Sequence, residues 1–205
     1  TFPAPVVRSA GGYDFRDVQM VDYPYFIDVR EDGLNTEHPV TRSLPQVTLA
    51  WASPIEADRS RGLTVTTLLR SSAQSWRSTE TNVMPRPDNG NNGGFAVSGS
   101  PQQEELAVNI QGRFTSYFVD RDLPAQVESS SMLRRSPDSA RIILFASNDF
   151  MDDQVLQLVV NAAGNQYLGG LEIFTNALDW AVEEDDLLQI RSRAHFNRTL
   201  PPMEE

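Results

Sequence analysis

The residues best suited to chemistry lie in one polar turn of the carboxy-terminal third. Asn148 and Asp149 follow closely after the apolar segment 141–146, and Asp152 and Asp153 come next. Ligands of open α/β sheets collect at the carboxyl ends of strands, so Asn148, Asp149 and Asp152 are the candidate ligand-binding residues. The same residue types also satisfy the free N–H groups of a helix start, and capping is the favoured role. A hydrolase that uses two of the carboxylates of Asp149, Asp152 and Asp153 is a further hypothesis.

Other nucleophiles and metal ligands are sparse in the sequence. The chain has no cysteine, which excludes cysteine nucleophiles and thiolate metal sites. His38 precedes Pro39 and is expected to be a turn residue, and His195 lies in an arginine-rich tail where solvent exposure is expected. The acidic run 183–186 is expected to be solvated or paired with arginine. We therefore predict no catalytic residue, no metal and no cofactor.

Composition limits the partners of the protein. The 205 residues carry 17 Lys+Arg against 28 Asp+Glu, and the net charge of −11 repels nucleic acids and anionic lipid surfaces. The stretch 154–171 is too polar to cross a membrane. Because the chain begins at Thr1, we expect it to be a piece of a longer protein, whose membrane anchors would lie outside it. One α/β domain over residues 1–205 is expected.

The amino-terminal and middle parts of the chain are typical of short strands joined by turns. Residues 85–103 are predicted to form a flexible loop and residues 123–139 a linker-like loop, because turn residues dominate both. A short helix is expected over 72–77. The predicted strands are 23–29, 46–51, 63–69, 105–111 and 114–119.

The carboxy-terminal third combines a strand with two helices. The continuous apolar run 141–146 predicts a central strand that is buried on both faces of a mixed sheet. A helix should follow the polar turn, and a second amphipathic helix is predicted over 171–184. An edge strand is predicted over 187–191. The residues expected to line the sheet-facing side of the second helix are Leu171, Phe174, Leu178 and Val182, with Ile173, Ala177 and Trp180 widening it. The narrow wet stripe is expected to be Glu172, Asn176, Asp179 and Glu183.

Several ordered blocks resemble a known family. The sequences Arg-Ile-Ile-Leu-Phe-Ala-Ser-Asn-Asp-Phe at 141–150, Phe-Thr-Asn-Ala-Leu-Asp-Trp-Ala at 174–181 and Asp-Leu-Leu-Gln-Ile-Arg-Ser-Arg at 186–193 resemble the end of the soluble region of gliding-motility-type ABC-transport auxiliary proteins. Blocks at 38–45 and 52–56, followed by the block at 67–72, are similar to the middle portion of the same family.

The resemblance implies a flavodoxin-like or amidotransferase-like α/β fold that lacks amidotransferase chemistry. It also implies an extracytoplasmic position in a parent protein anchored in the cytoplasmic membrane. The leading hypothesis is a non-enzymatic scaffolding domain whose partners are ABC transporter membrane subunits or a related soluble domain. The alternative is a small-molecule or glycan-binding module that uses the turn at Asn148 and Asp149, with Trp51, Trp76 or Trp180 as a stacking surface.

Overall fold

The structure is a computed structural model that describes residues 2–21, 23–83, 95, 99–124, 132–157 and 169–182. It is the mixed α/β arrangement that the sequence predicts, with a β-rich amino-terminal region. Two short 3-10 turns at Glu31–Gly33 and Arg59–Arg61 supplement the strands. No helix of this described part is both long and apolar enough to cross a bilayer. The regular elements are β1 Phe2–Ala10, β2 Tyr13–Val21, β3 Phe26–Arg30, β4 Gln46–Ala50, β5 Thr64–Arg70, β6 Glu105–Gln111, β7 Arg141–Phe145 and α1 Gly169–Ala181.

The described strands form three antiparallel sheets, β1–β2, β3–β4 and β5–β6–β7. A flavodoxin-like core is built on parallel strands, so this finer part of the fold prediction stays unconfirmed. The single-domain prediction also stays a prediction. Strands β4, β5, β6 and β7 lie within about one residue of the predicted positions, because each is a short apolar or threonine-rich run bounded by turn residues.

The hairpin β1–β2 is absent from the sequence-based prediction, which begins its strands at residue 23. Its turn is Gly11-Gly12, and Ala10 pairs with Tyr13 across it. Both glycines have positive φ, 63° and 82°, which is the backbone of a two-residue type I′ turn. The Gly-Gly pair between two nine-residue runs is the sequence signal that predicts this hairpin.

The core lies where α1 covers β4 and β7 and where the sheets β3–β4 and β5–β6–β7 meet. A bridge between Leu34 and Leu69 joins the turn after β3 to β5, and Ser53 N–H donates to the carbonyl of Ala146 at 3.0 Å. A bulge in β5 turns two consecutive side chains, Leu68 and Leu69, inward. The fully buried aliphatic residues are Val40, Val47, Leu49, Leu68, Leu69, Leu106, Val108 and Ile173.

The prediction that 141–146 is buried on both faces of the sheet is wrong. Among the described strands β7 pairs only with β6, so β6 is the central strand and β7 an edge. Ile142 and Leu144 are 45% and 47% exposed, whereas Ile143 and Phe145 pack against the core. An apolar run in a sequence does not show whether the strand is buried on one face or on both, because the outward positions of an edge strand also accept apolar residues.

The structure corrects part of the predicted burial of the second helix. Ile173, Ala177 and Trp180 are buried, as predicted, and Asn176, predicted to be wet, is buried with them. The other four apolar residues of the predicted side, Leu171, Phe174, Leu178 and Val182, are exposed. Asn176 is buried because its Nδ2 donates to the carbonyl of Val40 at 3.2 Å. The helix has two apolar stripes, and the polar partner at Val40 decides which one is buried; a hydropathy pattern contains no information about that partner.

Two smaller elements differ from their predictions. Residues 72–77 form a turn without a helix, and 114–119 make one isolated bridge, Thr115 to Arg135, in place of a strand. Most of the loop 85–103 and part of the loop 123–139 lie outside the described residues, as do the strand 187–191, the run 183–186 and His195. Phe95 within the first loop is buried and contacts the rings of Tyr23 and Tyr25.

Candidate functional site

The polar turn after β7 is built mainly to start a helix. Ser147 is buried, and its hydroxyl donates to the carbonyl of Ala50. Asp152 Oδ1 accepts the Gln154 N–H at 2.8 Å, so Asp152 caps the helical residues 153–157. Asn148 is exposed and Asp149 half-buried. Ligand binding by Asn148, Asp149 and Asp152 stays a prediction that nothing in the geometry tests.

A cavity of about 160 Å³ lies around Trp76, near the start of β6. Its lining includes the apolar residues Ile27 of β3 and Leu106 of β6 and the hydroxyl-bearing residues Ser53 and Tyr25. Trp76 follows β5 and is half-buried at its wall. We call this space the Trp76 cavity. Its lining comes from four separate segments of the chain, so no local motif marks it in the sequence.

Charged side chains hold one rim of the Trp76 cavity. The Arg77 guanidinium binds Glu104 at 2.6 Å and Glu56 at 2.7 Å. The hydrogen bond from Arg77 is the main cause of the lowered pKa of Glu104, and the same bonds raise the pKa of Arg77. Among the described side chains of this rim, the two carboxylates outweigh the single guanidinium by one negative charge. The rim therefore disfavours anions.

A strained residue precedes the cavity-lining segment Ala52-Ser53. Trp51 has a φ of 47°, a left-handed conformation that costs a bulky residue about 1 kcal/mol. Its N–H donates to the carbonyl of Tyr25 at 2.7 Å, and its indole Nε1 donates to the Tyr23 hydroxyl at 3.3 Å. These bonds hold the strained backbone and fix the direction in which Ser53 enters the cavity wall.

A half-buried histidine, His38, packs against Trp180 of α1. His38 is in a turn, as the sequence predicts, and its carbonyl accepts the N–H of Arg42 at 2.9 Å. Its Nδ1 accepts the N–H of Val40 at 3.3 Å, and its ring lies 5.1 Å from that of Trp180. The Arg141 guanidinium lies over the ring of Trp180, 4.4 Å from its centroid.

The hydrogen bonds of His38 fix its tautomer. Because Nδ1 accepts a backbone N–H, the neutral ring carries its proton on Nε2 and needs an acceptor there. The Asn109 Nδ2 lies 3.3 Å from Nε2, and Oδ1 of this buried amide has no partner among the described residues. An amide turned with its oxygen toward Nε2 supplies the acceptor. Protonation of Nδ1 would break the bond from Val40.

His38 makes stability depend on pH. Burial and the positive charge of Arg141 lower its pKa from 6.5 to about 4. The folded state thus holds a neutral ring where the unfolded chain binds a proton. The contribution of neutral His38 to the free energy of unfolding is fully present above pH 6.5 and is lost as the pH falls toward 4. The expected loss is about 1.5 kcal/mol, a value that allows for the solvent-facing part of the ring.

Urea unfolding at pH 7 and pH 4.5 measures this loss. The variant His38→Gln should lack most of it, and His195→Gln, which removes the other imidazole of the chain, is the control. Equal pH dependence in wild type and His38→Gln would show that His38 is not the responsible group.

The outward side of α1 carries a row of exposed apolar side chains. Leu171, Phe174, Leu178 and Val182 succeed one another at spacings of three or four residues and are between 41% and 65% exposed. We call this set the α1 outer stripe. Glu172 and Asp179 lie beside it. An exposed apolar stripe with a polar margin is typical of a protein–protein contact.

The described residues form a mixed α/β fold that carries the Trp76 cavity and the α1 outer stripe. The chain belongs to the family described as an ABC-type uncharacterized transport system, a family of transport auxiliary proteins, whose model matches residues 2–177. The predicted link to ABC transport is thereby confirmed at the level of the family. No curated protein and no solved structure matches the chain.

Proposed function

We propose that the protein is a non-enzymatic, extracytoplasmic scaffolding domain of an ABC-type transport system. The observation that supports this role best is the α1 outer stripe, because three large apolar side chains of the helix and Val182 directly after it are exposed, while the opposite face of the helix is packed in the core. The gliding-motility type of system is the finer proposal, and it is supported by the blocks at 141–150 and 174–181.

The proposed occupant of the stripe is an amphipathic segment of a transporter membrane subunit, apolar on one side and flanked by Lys or Arg. The apolar side would cover Phe174 and Leu178, and basic residues would suit the net charge of −11 that the chain carries. A net charge of −11 opposes contact with a second copy of the chain or with an anionic lipid surface. A basic partner therefore fits better than either.

Copurification tests this proposal. The double variant Phe174→Glu/Leu178→Glu places two carboxylates in the apolar contact, so the transporter subunit recovered from mild-detergent extracts should fall at least about tenfold. Both side chains are exposed, so the free energy of unfolding should change by less than about 0.5 kcal/mol per site. The matched control is Tyr117→Glu, an exposed aromatic outside the stripe. Unchanged recovery of the subunit with the double variant would refute the docking role.

The extracytoplasmic position has its own test. Because the chain has no cysteine, Tyr117→Cys introduces a single exposed thiol. In intact cells that express this variant, a membrane-impermeant maleimide should label the thiol. Labelling only after the cytoplasmic membrane is permeabilised would contradict the proposed location.

A further inference from the structure

We propose that the Trp76 cavity binds a single neutral sugar ring. The cavity is separate from the α1 outer stripe, and none of the residues of the turn at 147–152 lines it. The proposal therefore stands independently of the scaffolding role. It rests on the size of the cavity, on the hydrogen-bonding groups at its wall and on the charge of its rim.

Size limits the ligand to one ring. A cavity of about 150 Å³ accommodates a six-membered ring, and drug-sized ligands occupy about 300 Å³ or more. At about 160 Å³ the Trp76 cavity suits one pyranose unit. A longer glycan could be bound only through one of its units, with the remainder in solvent.

The lining suits a ring that has one apolar face and several hydroxyl groups. Trp76 and Ile27 offer apolar surface against which the C–H face of a pyranose can stack. The Trp76 indole N–H and the hydroxyls of Ser53 and Tyr25 have no hydrogen-bond partner within the described part of the chain. An all-hydrocarbon ligand would leave these three groups unpaired, and a sugar can pair them.

Charge selects among sugars. The Arg77 guanidinium is bound by Glu104 and Glu56, so it is compensated before any ligand arrives. The rim keeps one net negative charge, which opposes a carboxylate or phosphate on the ring. Neutral hexoses should therefore bind more tightly than uronic acids of the same shape.

The three indole N–H resonances of the chain provide a direct measurement. Titration with methyl glucoside, methyl galactoside or N-acetylglucosamine should shift the Trp76 resonance in a saturable way and leave those of Trp51 and Trp180 in place. A dissociation constant on the order of 1 mM is expected for a ligand of this size. Glucuronate should bind at least about threefold more weakly.

Variants then distinguish the cavity from other surfaces. Trp76→Ala should weaken binding about tenfold, as judged from the amide resonances of Ser53 and Leu106, and Tyr117→Ala should leave binding unchanged. Trp76→Phe keeps an aromatic face and should give an intermediate loss, which separates loss of stacking from loss of folding. The proposal is overturned if no neutral sugar gives a saturable shift up to about 100 mM, or if binding survives Trp76→Ala.

Discussion

Replacing Ile173 by alanine is expected to lower the free energy of unfolding by about 3 kcal/mol, whereas Leu178→Ala should change it by less than about 0.5 kcal/mol. Ile173 is fully buried in the main core cluster, and Leu178 is more than half exposed. Both residues are branched aliphatics of equal size on one helix, so the pair isolates burial. Loss of three core methylene or methyl groups leaves a cavity only at position 173.

Urea unfolding of the two variants measures this difference, with Trp180 fluorescence as the probe because that side chain is buried on the same face. A larger loss for Leu178→Ala than for Ile173→Ala would restore the helix orientation that hydropathy predicts. It would also remove the α1 outer stripe as a docking surface.

Gly33→Ala is expected to cost about 2 kcal/mol of folding free energy. A Cβ at this position would lie 2.7 Å from the carbonyl oxygen of Arg70 and 2.8 Å from Cγ1 of Val29. The oxygen belongs to the backbone of β5 and cannot move aside without disturbing the strand. The 3-10 turn would therefore have to lift away from β5 and lose the adjacent bridge between Leu34 and Leu69.

Thermal unfolding compares Gly33→Ala with Asp32→Ala, an exposed neighbour in the same 3-10 turn. The neighbour should change stability by less than about 0.5 kcal/mol. If the two variants have the same stability, the close approach of Gly33 to β5 does not exist in solution.

Local patterns predict most of the strands and the existence of α1. The strands β4, β5 and β6 alternate or run apolar between turn residues, and this local signal is sufficient to place them. The hairpin β1–β2 was also predictable, since Gly11-Gly12 supplies the two positive φ values that its turn requires.

The packing of these elements could not be predicted from local patterns. Whether Arg141–Phe145 is central or at an edge depends on which strand lies beside it. Which stripe of α1 is buried depends on the carbonyl of Val40, more than 130 positions away along the chain. Similarly, the Trp76 cavity is assembled from the ends of β3, β4 and β5 together with β6, and no spacing within one segment indicates it.

The family assignment does not depend on the central-strand prediction. It depends on ordered blocks, and one of them, the Asn-Ala-x-x-Trp pattern of α1, supplies three of the buried residues: Asn176, Ala177 and Trp180. Asn176 binds Val40, and Trp180 contacts both His38 and Arg141. The pattern thus marks the packed face of the helix and leaves the opposite stripe to other contacts.

Photo-crosslinking from position 174 tests the scaffolding account most directly. A photoreactive amino acid in place of Phe174, in cells that contain the transport system, should form an adduct with a peptide of an ABC transporter membrane subunit. The same group at position 117 should not form that adduct. Adducts with a second copy of this chain alone, or no difference between the two positions, would contradict the account.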